Sequence, residues 1–361
     1  MKFFITTTLL VITAGTIYAG SPVITEQKTE SLSHTAHSSP LDHGPAGIMG
    51  DHLHAKGEWM LGYHYMRMEM NGHRQGTDEL SLQEVFDLGY TAAAENMIMD
   101  MHMFEVMYAP TDWLTLMVMA NYIFNDMDMV MSGGRHGHGD HMMPMMNTGT
   151  MRHSHSTEGW GDTSLSALFP IYRNETGTRI IGSLGISAPT GDVEVKNGSN
   201  YTHYDMQLGS GTWDLLPGIT ATQRIGDWQL GAQLGAVIRL EEEGDSGYRK
   251  GHRFFVDTWI GYEVTEWLGL NATLSASSEG AIEGHYNGPH NHNAPNDFQA
   301  NYGGEIVDAG IGANLLTPSS WGALFGSQRV GVRATVPVYQ DLNGVGMNSE
   351  WTLFVSWQKA F

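Results

Sequence analysis

From Glu58 to the C-terminus, apolar and polar side chains alternate with a period of two, in segments separated by runs rich in Gly, Asn, Asp and His. Successive side chains of a β-strand point to opposite faces, so this pattern predicts strands whose two faces meet different surroundings. The first segment sets Trp59, Leu61, Tyr63 and Tyr65 against Met60, His64, Met66, Met68 and Met70. A hairpin follows over 97–131, turning at Pro110-Thr111-Asp112. Its first arm sets Met97, Met99, Met101, Met103, Glu105 and Met107 against Ile98, Phe104, Val106 and Tyr108, with Asp100 and His102 near the far end of that face. Its second arm sets Leu114, Leu116, Val118, Ala120, Tyr122 and Phe124 against Thr115, Met117, Met119 and Asn121. Further strands are predicted near 161–172, 178–188, 213–222, 228–239, 254–263, 268–276, 304–316, 328–339 and 351–361. Connections alternate in length: 71–95, 132–158, 189–208, 241–251 and 279–302 are long loops, and most of the others are short turns.

About twelve strands with one-sided long loops and an apolar/polar dyad point to an all-β fold, a transmembrane antiparallel β-barrel. A soluble β-sandwich also alternates. Two features favour the barrel: the apolar parity carries Trp and Tyr at strand ends, as interfacial girdles do, and the opposite parity carries charge and Gly in mid-strand. The expected location is the bacterial outer membrane, with short periplasmic turns, long extracellular loops and lipid as the first partner. The last strand, WTLFVSWQKAF, resembles the C-terminal signal of outer-membrane barrels, which implies handling by the barrel-assembly machinery through the strand that ends in Phe361.

Composition narrows the organisation further. The opening MKFFITTTLLVITAGTIYAG has a basic residue, an apolar run and small residues, which reads as a secretory signal peptide over 1–19. No later apolar run approaches the roughly 20 residues of a spanning helix. Residues 20–56 form a His-containing periplasmic N-terminal segment, read either as a solvated linker or as a plug, and 57–361 form the barrel. The chain has no Cys and a formal charge of −21, which removes thiolate ligands and argues against nucleic acid as a partner. No G-x-S-x-G, HEXXH, P-loop or dinucleotide fingerprint is present, so the chain is not read as an enzyme and no cofactor is required.

Candidate chemistry lies in the methionines. Of 23, all but Met1, Met206 and Met347 fall between Met49 and Met151. If the leucine-side parity meets lipid, Met117 and Met119 point inward. Glu105 would be costly on the lipid face, so it points inward too and takes Met97, Met99, Met101, Met103 and Met107 with it. With Met60, Met66 and Met68, three adjacent strands line one wall with thioethers. A thioether is a soft neutral donor suited to Cu(I) and poorly suited to Zn, Mg or Ca. His64 and the His52/His54 pair add borderline nitrogens. His136, His138, His141, His153 and His155, with Met142, Met143, Met145 and Met146, are placed at the outer mouth, where they can capture Cu(II) or Cu(I). Packing is the plainer role for such a Met row, since Met fills irregular gaps.

The stretches GDTSLSALFPIY (161–172), ISAPTGD (186–192), GSGTWDLLPGI (209–219) and VPVYQDLNG (336–344) resemble a family of bacterial outer-membrane transporters of the phenol-degradation meta-pathway type, here in a Met- and His-rich form. The resemblance implies passage of small, often aromatic compounds and carries over no residue-level site. The expected function is an outer-membrane transporter or channel whose Met-lined lumen and His/Met-rich outer loop bind or conduct soft, copper-type ions. The alternatives are an uptake channel for small hydrophobic solutes and a structural or surface-sensing barrel.

Overall fold

The structure is a computed structural model that describes residues 39–132 and 151–361. The signal peptide expected over 1–19, the segment 20–38, and His136, His138 and His141 lie outside the described residues.

The alternating segments form strands β1 (Trp59–Gly76), β2 (Ala92–Thr111), β3 (Leu114–Met131), β4 (Met151–Trp160), β5 (Thr163–Arg173), β6 (Thr178–Ala188), β7 (Asp214–Ile225), β8 (Trp228–Arg239), β9 (Arg253–Thr265), β10 (Leu268–Glu279), β11 (Gly304–Leu316) and β12 (Gln328–Ala360). Neighbours in sequence pair antiparallel, except that β4 and β5 both pair with β3, and β12 returns to β1 to close the sheet. Residues 329–342 of β12 pair with β11, and its later residues to Ala360 pair with β1. Both pairings are antiparallel, so the chain reverses within β12. The ring of eleven strand elements is therefore a cylinder of twelve staves, the even number an antiparallel closed sheet requires. The ends are tied by Trp59 N donating to Phe361 O (3.2 Å) and Phe361 N donating to Trp59 O (2.7 Å).

Closure leaves the two parities in different solvents. Phe104 is 46% exposed, whereas its neighbour Glu105 is 2% exposed. Phe104, Val106, Val118, Leu165, Leu274 and Ile311 face out, and Glu105, Asn271, Asn314, Arg329 and Arg333 are buried within the cylinder. Asp100 and His102 face out with Tyr63, Tyr65 and Arg67: Arg67 pairs with Asp100 at 3.2 Å, and Tyr63 Oη lies 2.7 Å from His102 Nδ1. An Arg paired with a carboxylate and ringed by tyrosines suits the polar edge of an apolar band.

Two connections differ from the sequence expectation. Residues 132–158 are not loop throughout, because β4 pairs 151–160 with 122–131 and continues the stave of β5. The stretch 71–95 is shorter as a loop: β1 runs to Gly76, and a short helix Leu82–Asp87 is capped reciprocally by Ser81 and Glu84.

Residues 39–56 lie inside the cylinder. Backbone carbonyls of Pro40, Leu41, Gly44 and Met49 accept from Asn314, Gln229, Arg329 and Gln233, which come from β8, β11 and the last strand. Buried backbone groups of a segment without its own ladder must find side-chain partners, and the polar inner parity supplies them. The segment enters and leaves at one mouth. At its start, Arg224 donates to Ser39 Oγ (3.0 Å) beside the β7–β8 turn, and at its end Lys56 N donates to Asp112 Oδ1 (2.9 Å) in the β2–β3 turn. Its turn-back uses Gly47 and Gly50, both with positive φ.

Candidate functional site

The register of β1, β2 and β3 builds the inner wall in rows. Met60 faces Met107 and Met107 faces Met117; His64 faces Met103; Met66 faces Met101; Met68 faces Met99; Met70 faces Met97 and Met97 faces Met127. Residues directly opposite in a sheet have Cβ atoms roughly 4.5–5.5 Å apart, so every row but that of His64 brings thioethers side by side. Met66, Met68, Met101 and Met119 are half-buried in the middle of this wall, and Met103 is buried.

The wall is not uniform. At the short-turn end Met60, Met107 and Met117 pack with Leu168 and Ile181, against Leu53 of the inserted segment. That group is a mixed apolar core. At the long-loop end Met97, Met127, Met129 and Met206 are buried together, with Met70, Met99, Met131 and Met347 packed against them. Among the described residues, the remaining members there are Ala92, Ala94 and Ala294, with no Leu, Ile, Val or Phe. Met206 arrives on a one-turn helix Tyr204–Met206 in the β6–β7 loop, and Met347 arrives on β12. A cleft of about 450 Å³ adjoins this chamber, lined by Met70 and Met97 together with Glu69 and Glu350. It sits where β1 loses register with β12 between Glu69 and His73.

The chamber is roofed by loops. Tyr201, Tyr204, Tyr248 and Tyr286 form a buried aromatic cluster, with Tyr204 and Tyr286 stacked at 4.3 Å. Beside it stands an imidazole row: His153 and His155 have ring centroids 4.6 Å apart, and His155 and His203 5.9 Å apart. Both His153 and His155 are on β4, not in a loop. His203 Nδ1 lies 2.8 Å from Asp297 Oδ1. Burial alone would lower the His203 pKa, but the hydrogen bond and charge of Asp297, helped by Asp205, raise it above its ordinary value.

Lower in the lumen, His64 Nε2 is 2.9 Å from Glu105 Oε2, both groups buried, and Gln358 Nε2 also donates to Glu105 (3.3 Å). In the inserted segment, His43, His52 and His54 lie ring beside ring, tilted and then edge-on, with centroids 4.0 Å and 4.9 Å apart in succession. The sequence reading passed over Met206, Met347, His203, Asp297, His43 and Asp51. Only the spacing His203-x-x-Met206 offered a local signal for any of them.

Comparison with known proteins places the fold. An outer-membrane channel from Pseudomonas putida F1 superposes with a TM-score of 0.57 at 14% identity, over 87% of this chain and 99% of that one. The Pseudomonas putida toluene transporter TodX gives a TM-score of 0.41 at 10% identity, over 90% of this chain and 93% of that one. Comparison with curated proteins finds no match. The closed cylinder, its apolar outer band and the first of these likenesses make the chain an outer-membrane β-barrel. A family profile described as "Putative MetA-pathway of phenol degradation" matches residues 122–315, more than half of the chain, and the chain belongs to that family.

Proposed function

We propose that this barrel is an outer-membrane channel that collects a soft monovalent metal ion of the Cu(I) class in the thioether chamber beneath its outer loops. The observation that carries the reading is the composition of that chamber: eight methionines from five elements and, among the described residues, only alanine as the other apolar residue. A core selected for packing alone draws on Leu, Ile and Val, whose rotamers are better defined. In the cleft beside Met70 and Met97, Glu350 adds a carboxylate at the approach, while Glu69 is already paired with Arg67 at 3.2 Å. His153, His155 and His203 supply borderline nitrogens at the outer edge, and the half-buried Met66, Met68, Met101 and Met119 continue the wall toward the short-turn end, as several weak sites in series require.

The test replaces Met97, Met127, Met129 and Met206 together by Leu, which keeps volume and apolarity and removes sulfur. Competition with a chromophoric Cu(I) chelator is expected to show at least a tenfold loss of affinity in the purified barrel. Equal affinity in the two proteins would sink the proposal.

A second reading, entry of small aromatic solutes, rests on the same chamber, since thioethers and a tyrosine roof also suit flat apolar rings. The same variant separates the two. Under the second reading, uptake of a monoaromatic solute persists after the Met→Leu change, and Cu(I) affinity is weak in both proteins.

A further inference from the structure

The inserted segment carries a group of side chains that the thioether chamber does not use. His43, Asp51 and His52, all buried, each present a ligand atom within 4.8 Å of the others. They come from a single ten-residue loop, bent at Gly47 and Gly50, so the backbone itself converges on the group. The carboxylate is oriented from both sides: Asp51 Oδ2 accepts from Gly44 N, and Asp51 Oδ1 lies 2.8 Å from His52 Nδ1. That contact holds the His52 ring beside the carboxylate, within the 4.8 Å group that His43 completes. The His54 ring is 4.9 Å from that of His52, and Glu58 Oε2 lies 3.4 Å from His54 Nδ1.

Charge argues for a cation here. Asp51 and Glu105 are both buried and face one buried guanidinium, Arg329, and Glu105 is also paired with His64 at 2.9 Å. Buried charge in excess of its partners is strongly unfavourable. A cation beside Asp51 offsets carboxylate charge that Arg329 otherwise shares between Asp51 and Glu105. Two imidazoles and a carboxylate suit borderline divalent ions, and the absence of thioethers from the set makes it a poor Cu(I) site.

We propose that His43, Asp51 and His52 form a binding site for a borderline divalent cation of the Zn(II), Ni(II) or Cu(II) class, with His54 as the nearest further ligand, and that the ion closes residues 43–52 as a loop within the lumen. The site is separate from the thioether chamber in both place and ligand chemistry.

The experiment refolds the full chain in detergent with Zn(II), desalts it and measures bound metal. The wild type is expected to retain an ion that is kept in a His153→Ala/His155→Ala control and in the Met→Leu variant of the chamber. The His43→Ala/His52→Ala variant is expected to bind it roughly tenfold or more weakly. Undiminished Zn(II) in the latter variant, with the heat-modifiable migration of a folded barrel, would overturn the proposal, as would a wild type whose bound metal is lost entirely with His153 and His155. Should the double variant fail to fold, Cu(II) electron paramagnetic resonance on the wild type decides. Coupling to imidazole nitrogen that Asp51→Asn perturbs is expected, and a spectrum without nitrogen coupling, or one that Asp51→Asn leaves unchanged, counts against it.

Discussion

Gly47 shows what a single residue must supply for the lumen to be filled. Its φ is +86°, and a Cβ placed there would stand 2.6 Å from an Arg333 guanidinium nitrogen and 2.7 Å from the Phe354 ring. Gly47→Ala therefore combines left-handed strain of roughly 1–2 kcal/mol with a clash against a wall side chain. Residues 39–56 in this variant are expected to become cleavable by added protease while the barrel stays intact. Resistance equal to the wild type would mean that the loop tolerates a shift at this point. At the same scale Glu105 was legible from the chain alone, because a carboxylate cannot face acyl chains, and its parity fixed the direction of five methionines. Met206 and Met347 were not legible. Each is isolated in sequence, and each meets Met97 only through closure of the cylinder, across more than a hundred residues.

Among the elements, β4 is instructive. MRHSHSTEGW has no apolar parity, so nothing in it marks a strand. Residues 151–154 are all exposed and only 155–160 alternate between half-buried and exposed, and most of the strand pairs with the part of β3 after Phe124, where the apolar band ends. Alternation reports a difference between two solvents, and it vanishes where there is none. The loop elements near β4 carry a pH dependence of known sign. His203 is raised, so its contribution is fully present below the ordinary imidazole value of 6.5 and is lost as pH rises through its higher native value. Asp297 is lowered: burial alone would raise it, but the hydrogen bond and charge of His203 outweigh this, so its contribution is present above 3.8 and fails only in stronger acid. Hydrogen exchange at 203–206 and 293–297, corrected for intrinsic rate, is expected to be slower at pH 5.5 than at pH 8.5. The groups facing His203 are Asp297, Asp205 and His155, and Asp297→Asn should flatten the difference. Equal protection at both pH values would show that the ion pair does not hold the roof.

At the scale of the whole molecule the barrel was readable because twelve alternating segments repeat one physical statement, while the filling of its lumen was not. Residues 39–56 have neither a period of two nor a helical period, and their Gly and His content is equally that of a solvated linker. What holds them is the inner parity of distant strands, with partners such as Gln233 and Asn314 that a linear reading sees only as polar strand residues. The ring itself closes without this segment, so a chain lacking residues 39–56 is expected to assemble as a closed barrel. Since the protein has no native Cys, Gln233→Cys gives a clean probe. A thiol reagent added from the short-turn side is expected to label it far faster in the shortened chain. Matching rates would mean that the segment does not occlude that half.

Ser39 and Lys56 are both moored at turns of the same mouth, although the chain between them reaches up to Met49 and Gln233. Such a loop is withdrawn without being threaded through anything. A tug applied at residue 39 from the short-turn side ruptures its moorings one after another, as a zipper opens, so a small sustained force can do what would otherwise demand breaking every contact at once.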